Sequence, residues 1–443
     1  MTDTAPRTAD RTEAEIIAEL DAWLNENWDP EITVEEWWNR LGLSGWGAPM
    51  WPEEWYGKGL NRAEAVAVQN RIGEFGALPA PGGLGLLLAG PTIIDHGDDE
   101  QRRTLVKDII TGQKAWCQLF SEPGAGSDLA GLNARAVKDG DEWVVNGQKV
   151  WTSGGHVADM GMLIARTDPD QPKHTGITYF AVDMHQPGMD VRPLKEMTGR
   201  AMFNEVFMTD VRVPDEWVIG GLGNGWRVAN TTLMYERSGL GAGGGSAAAS
   251  LATPGTVAGD LGKRVGDFVR NPDQRRATGG GVTAGQGGAR GLIELAKASG
   301  KVADGTVRQD LMRLHTLHEL ARFNNLRAKA ARAAGKDIPG LPNIMKLSMS
   351  EILRHTRETG LRLLGPAATL HGYDAESSKK VAEATGNPFL SMLTETALFS
   401  PGPAIYGGTD QIQKNIIGER VLGLPKEPNQ DKVLAFKDLP KNG

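Results

Sequence analysis

The feature that most constrains this chain is a change of texture that happens twice. From about residue 12 to 115, stretches such as TEAEIIAELDAWLNENW and NRAEAVAVQNRIGEFGALP space their apolar residues at helical intervals, with Pro and Gly between them. From 116 to about 220 the runs shorten to EWVV, QKVW, TYFAVDM and NEVFMTDVRV, alternating in character and bounded by turn residues, which is the pattern of strands. After Gly223 helical spacing returns, and Leu311, Leu314, Leu317 and Leu320 follow one another along a helix. The expected fold is therefore α+β and multi-domain: an N-terminal helical domain over 1–115, a middle β-domain over 116–222 and a C-terminal helical region over 223–443. The 443 residues allow this, because single cores stop growing at about 250–300 residues.

Two local expectations follow. In EWVVNGQKVW, Asn146-Gly147 offers the two positive-φ residues of a tight hairpin, so a turn is expected there. The stretch from about 241 to 290 is rich in Gly and small residues, with too little apolar content for a core of its own, and reads as an inserted, mobile surface segment.

Composition excludes several classes. A net charge of −7 with no basic stripe argues against nucleic acid as partner. Cys117 is the single cysteine, so no intrachain disulfide and no multi-cysteine zinc site can form, and a reducing cytoplasm is the expected compartment. MTDTAPRTADRTEAE lacks the apolar stretch of a secretory signal, and the most apolar run, GGLGLLLAGPTII at 82–94, is too short to span a bilayer and is broken by Pro91.

Three segments carry candidate chemistry. LFSEPGAGSD at 119–128 joins a strand to a Gly-rich loop whose backbone N–H groups can approach a phosphate or a heterocycle, though a loop of this kind alone is more often a structural turn. KVWTSGG at 149–155 sets a tryptophan and two hydroxyls at a strand end, where a core Trp is the plainer reading. YGGTDQIQ at 406–413 places Thr409 as a helix N-cap, and the same helix start favours an electron-rich group. Their joint occurrence, in order and over nearly 300 residues, is far more specific than any one of them.

With SEPGAGSD, VNGQKVWTSGG, VFMTDVRVP, YERSG and YGGTDQIQKNIIGERVLGLP together, the sequence resembles the acyl-CoA dehydrogenase family over essentially its whole length. The resemblance implies a middle β-barrel or sandwich, a C-terminal four-helix bundle that also makes subunit contacts in a dimer or tetramer, and FAD held between the two. It places Gln118, Phe120 and Ser121 along the flavin ring and Gly126 and Ser127 beside flavin and substrate. Trp151, Thr152 and Ser153 fall on the other flavin side, and Gly408, Thr409 and Gln411 contact the cofactor from the last helix. The family's Arg-x-x-Phe-Gly segment has no counterpart in IELAKASGKVADGTVRQD, and Arg362 stands where a glutamine is usual, so Arg362 is the candidate for the dinucleotide end.

In the family a glutamate normally stands where this chain has Gly407, and it is the base that starts the reaction. Gly407 keeps only its N–H, which can still bond the thioester carbonyl. Some members carry the base on an earlier helix, in a Glu-Arg pair that here is Glu236-Arg237 of LMYERSGLG, so Glu236 is the expected base and Arg237, with Ser127, a substrate contact. A helical Glu is more commonly a solvated partner of Lys or Arg, but the small, apolar surroundings that include Gly239 argue for partial burial. The implied reaction is α,β-dehydrogenation of an acyl-CoA, with hydride passing to flavin N5 and an electron-transferring flavoprotein as acceptor, on a bulky, branched or long acyl group. Three rivals stay open: a catalytically silent subunit of a heteromer, a flavin monooxygenase on the same fold, and a non-enzymatic helical scaffold.

Overall fold

The structure, a computed structural model, describes residues 11–241, 259–269, 289–334 and 336–440. Helices Glu13–Asn27, Val34–Leu43 and Arg62–Phe75 open the chain, and each start is fixed by a side chain: Thr12 and Asn61 form capping boxes with Glu15 and Glu64, and Thr33 caps the second helix. Their core is built on tryptophan. Trp37, Trp38 and Trp46 are fully buried with Ile16, Leu20, Leu24 and Leu41, and the Trp37 and Trp38 indoles donate to the Leu78 and Pro79 carbonyls, so these two ring N–H groups are paired inside the core.

The middle of the chain forms one sheet of eight strands: β1 (Trp116–Leu119), β2 (Arg135–Asp139), β3 (Glu142–Ser153), β4 (Met160–Arg166), β5 (Ile177–Asp183), β6 (Met189–Leu194), β7 (Phe203–Pro214) and β8 (Val218–Ile219). Strand order is β6-β7-β3-β2-β4-β5-β8, with β1 parallel to β4. β4 is buried along its whole length, and because alternate residues face two covered sides its sequence is apolar up to Arg166. Met160, Met162 and Ile164 face the helices, with Tyr179 and Ala181 of β5, whereas Leu163 and Ala165 face the second core, where Phe180 meets Trp143 and Val145 of β3 and Val206 and Val211 of β7.

The turn expected at Asn146-Gly147 is absent: β3 runs through both residues. The β2–β3 hairpin closes six residues earlier, at Gly140-Asp141 with Gly140 at φ +62, where Asp139 pairs with Glu142. Gly147 serves close packing instead, since a Cβ there would lie 2.6 Å from the Ala134 Cβ. Opposite it the extra residue of a bulge falls on β7, with Asp210 at φ +52 and its N–H donating to the Asn146 side chain at 2.9 Å.

The C-terminal region packs helices Arg290–Ala298, Gly305–Ala333, Leu341–Leu364 and Leu390–Phe399 around Leu292, Leu311, Leu314, Ile352 and Leu390. Of the four leucines at helical spacing, Leu320 lies outside this core and is exposed. Most of the expected mobile insertion lies outside the described residues, but 259–269 within it is no loose surface segment. Lys263 and Leu261 accept from the Val34 and Glu35 N–H groups at 2.9 and 3.0 Å, Val265 N–H donates to Ile32 at 2.8 Å, and the Val265 side chain is buried among the N-terminal tryptophans. Leu261, Val265 and Phe268 supply the apolar anchors that glycine-dominated composition obscured.

Candidate active site

The helix Gly225–Gly241 begins against the sheet. A Cβ at Gly225 would lie 2.5 Å from the Thr178 carbonyl carbon, so only glycine allows this approach. Val228, Ala229 and Thr232 then form its buried face; the Thr232 hydroxyl is within hydrogen-bond distance of Thr92 (3.0 Å) and Tyr179 (3.3 Å). Glu236 stands four residues after Thr232, on the same face, and is half-buried. Its neighbour Tyr235 donates to Asp95 at 2.8 Å, and burial together with that carboxylate pushes the phenol's pKa up, so Tyr235 stays neutral. The Arg237 side chain lies outside the described residues.

Gly407 lies in the loop before the helix Asp410–Ile416, at φ +63, followed by Gly408 at φ +81. Both the helix that carries Glu236 and the helix that follows Gly407 pack on Leu341–Leu364, which is their common support. Gln413, buried, donates to the Gly407 carbonyl at 2.9 Å and accepts from Asn343 at 2.7 Å, holding the double-glycine turn. Among the described residues nothing accepts from the Gly407 N–H. Thr409 is the N-cap, accepting from Ile412 N–H at 3.1 Å, which leaves its O–H to donate elsewhere. Gln411 is exposed. Asp410 is committed to Lys346 (3.0 Å) and Ser350 (2.8 Å), and burial raises the Tyr406 phenol to about 12, so neither is poised as a base.

The two β-domain segments meet edge to edge. Val150 N–H donates to the Ser121 carbonyl at 2.9 Å, and beneath them Lys149 (0% exposed) donates to the Phe120 carbonyl at 3.0 Å and to Glu122 (8% exposed) at 2.9 Å. The same Glu122 carboxylate accepts from the Asn133 and Ala134 N–H groups at 2.7 and 2.9 Å. Burial pushes the Lys149 ammonium below its ordinary pKa, and Glu122 opposes that shift. Just beyond Lys149 a second bulge, on β3, sets Trp151 at φ +61, a conformation that costs a bulky residue of order 1–3 kcal/mol. It turns the indole outward, 62% exposed.

Trp151 is therefore no core tryptophan. Ser153 shares its face and is half-buried, but Thr152 points the other way, fully buried, its hydroxyl without a hydrogen-bond partner among the described residues. This changes what Thr152 could offer a cofactor: strand alternation leaves only its backbone. Gln118 is half-buried in β1, and Phe120 is buried edge-on to Tyr179. Gly126 and Ser127 are exposed, and a Cβ at Gly124 or Gly126 would meet nothing within 4 Å, so the loop is open on its outer side.

Sequence models of the acyl-CoA dehydrogenase N-terminal, middle and C-terminal domains match residues 2–113, 117–211 and 289–422. Acyl-CoA dehydrogenase IpdE1 of Mycobacterium tuberculosis is 34% identical over 392 residues, covering 88% of each chain. The chain belongs to the acyl-CoA dehydrogenase family. Acyl-CoA dehydrogenase FadE34 of the same organism is 44% identical over 387 residues, 87% of this chain but 46% of that protein, so this chain spans about half of FadE34. Among solved structures, the Tcur3481-Tcur3483 steroid ACAD superposes with a TM-score of 0.66 at 25% identity, over 94% of this chain and 98% of that one.

Family membership makes the chain an FAD-dependent oxidoreductase. The residues fit such a cofactor: an outward-facing indole, a hydroxyl on the same face, and an open glycine loop offer a planar contact and polar partners to a flavin ring. Arg362 is less available than its sequence position suggested, because its guanidinium pairs with Asp310 at 3.2 Å. Sequence reasoning missed Lys149, Glu122 and Gln413. All three sit inside the quoted motifs, but their importance lies in burial, which a Lys, Glu or Gln does not announce. Among the described residues no helix is long and apolar enough to cross a membrane.

If Trp151 contacts the cofactor and not the core, Trp151→Ala leaves thermal stability nearly unchanged while FAD affinity falls roughly three- to tenfold, the loss expected of an aromatic contact worth about 0.5–1.5 kcal/mol. Fluorescence titration of the apoprotein with FAD measures it; a stability loss with unchanged affinity would return Trp151 to a structural role.

Proposed function

We propose that this chain dehydrogenates a bulky acyl-CoA at the α,β position, with Glu236 as the base. The observation that carries the proposal is a pair: glycine at 407, and a half-buried glutamate on the inward stripe of Gly225–Gly241. Glu236 takes the Cα proton as a general base. The Gly407 N–H donates to the thioester oxygen as negative charge develops there, with Gln413 keeping the turn in place. FAD, when bound, supplies the two-electron acceptor for the Cβ–H bond. Trp151 and Ser153 on one side, and Gln118, Ser121, Gly126 and Ser127 on the other, would hold its ring; Gly408, Thr409 and Gln411 would meet it from the last helix.

A base arriving from an earlier helix, with no side chain at 407, leaves room beside the α and β carbons. That room, and the likeness to a steroid ACAD, support a ring-bearing or branched acyl group. Anaerobic titration of the flavin-loaded protein tests it: a ring-bearing acyl-CoA is expected to bleach the flavin absorbance faster than butyryl-CoA. Clear preference for the short straight chain would sink the bulky-substrate reading. We further propose an electron-transferring flavoprotein as the acceptor, and rapid turnover with NAD alone would contradict it.

A second reading concerns assembly. FadE34 is about twice as long as the matched region, and the steroid ACAD combines two named components, which favours pairing with another chain of this fold alongside self-association. Turnover by this chain purified alone, as a homo-oligomer, would remove the need for such a partner.

A further inference from the structure

The family match ends at residue 422, yet the described chain continues to 440 and crosses to the β-domain. It docks along the 167–176 loop between β4 and β5. Ala435 bridges Pro172, Phe436 N–H donates to the Gln171 carbonyl at 2.9 Å, Lys437 N–H to Pro169 at 3.1 Å, and the Lys437 ammonium meets Asp170 at 2.6 Å. The Phe436 ring lies 3.6 Å from the guanidinium of buried Arg166, which itself donates to the Lys173 and Ala130 carbonyls at 2.7 Å each. The ammonium of Lys173 is then shared between Asp128 (2.7 Å) and Asp431 of the tail (3.4 Å).

Asp128 directly follows Ser127, in the stretch of the Gly-rich loop that is otherwise exposed. On its far side the same 167–176 loop reaches the base-carrying helix, where His174 stands edge-on to Trp226 with ring centroids 4.9 Å apart. We propose that residues 424–440 form a strap that fixes the 119–128 loop for acyl-CoA binding, with Asp431 and Lys173 as positioning residues for Ser127. The tail does not touch the reacting atoms. It acts through Lys173, whose cation it shares, and through Arg166, whose planar face Phe436 covers. This inference rests on reading the 119–128 loop as a substrate segment.

Three full-length or shortened proteins test it: Asp431→Asn, Asp431→Glu, and a chain ending at Gly423. Removing one member of a partly exposed ion pair is worth up to about a fivefold change in an equilibrium, so Asp431→Asn should raise KM for acyl-CoA roughly two- to fivefold and the shortened chain by more. Saturating kcat, FAD content and the visible flavin spectrum should stay near wild type. Asp431→Glu should recover most of the affinity. Independently of any turnover, hydrogen exchange at Gly131, whose N–H donates to the Asp128 carbonyl at 2.9 Å, should quicken in the shortened chain. Unchanged KM and unchanged exchange in that chain would overturn the proposal, and so would loss of flavin or of thermal stability, which would make the tail a general brace. If the full chain turned over no acyl-CoA but the exchange at Gly131 still quickened on shortening, the functional reading would fail while the strap stood.

Discussion

Lys149→Met is expected to strip the protein of FAD and to lower its stability by about 3–5 kcal/mol, the cost of leaving one partner of a buried ion pair uncompensated. The reason lies in what Lys149 holds. Its ammonium touches the Phe120 carbonyl and Glu122 from beneath, and one residue away Val150 joins the Ser121 carbonyl, so the loop and the strand proposed for the two sides of the flavin share this fastening. Methionine fills the volume but leaves the Glu122 charge with only the Asn133 and Ala134 N–H groups and the more distant Arg166, whose own pKa burial lowers to about 10. Pairing it with Glu122→Gln removes the orphaned charge, so the double variant should regain most of the stability while FAD affinity remains weaker than wild type, because the fastening to the Phe120 carbonyl is still missing. Denaturation midpoints and flavin content of the two variants measure this. A single variant as stable and as yellow as wild type would show that the pair fastens nothing.

Much of the fold was legible because it depends on period and on local chemistry. The switch from helical spacing to short strands and back set the layer order, and Thr409 is the N-cap that its sequence position indicates. The failures share a cause: the deciding partner is distant in sequence. Asn146-Gly147 has the composition of a hairpin turn, but Gly147, at φ +154, is required by Ala134, thirteen residues away, and the left-handed residue of the bulge is Asp210 on another strand, at φ +52. Gly140 supplies the real turn, inside VKDGDEW, where the same local rule would have applied. The stretch 259–269 looks featureless until the N-terminal helices provide the surface for Val265 and Phe268.

At the site, sequence distinguished the residues whose type is unusual for their place and missed those whose setting is unusual for their type. Gly407 stood out because a glutamate was expected there, and Trp151 because it belonged to a motif. That the tryptophan faces outward required the bulge on β3, and that Thr152 faces inward followed from the same backbone. Lys149 and Gln413 look like ordinary polar residues of a strand and a helix, and only their burial marks them as supports of the loop and of the glycine turn.

Glu236→Gln carries the other large expected effect and bears directly on the central claim. The amide keeps the shape and hydrogen-bonding capacity of the side chain, so helix Gly225–Gly241 and the binding of FAD and acyl-CoA should be little altered, whereas loss of the basic carboxylate should slow the chemical step by about 10²- to 10⁴-fold. Returning a glutamate to position 407 is a poorer test, because φ +63 strains any side chain there. Stopped-flow flavin reduction by a saturating ring-bearing acyl-CoA, in the absence of oxygen, compares wild type and Glu236→Gln in one turnover and separates binding from proton abstraction. The account predicts equal FAD content, a similar acyl-CoA dissociation constant and a reduction rate at least about a hundredfold lower in the variant. Reduction by Glu236→Gln at the wild-type rate would contradict it and move the role of base to another carboxylate, with Asp95, hydrogen-bonded to Tyr235 beside it, the first to examine.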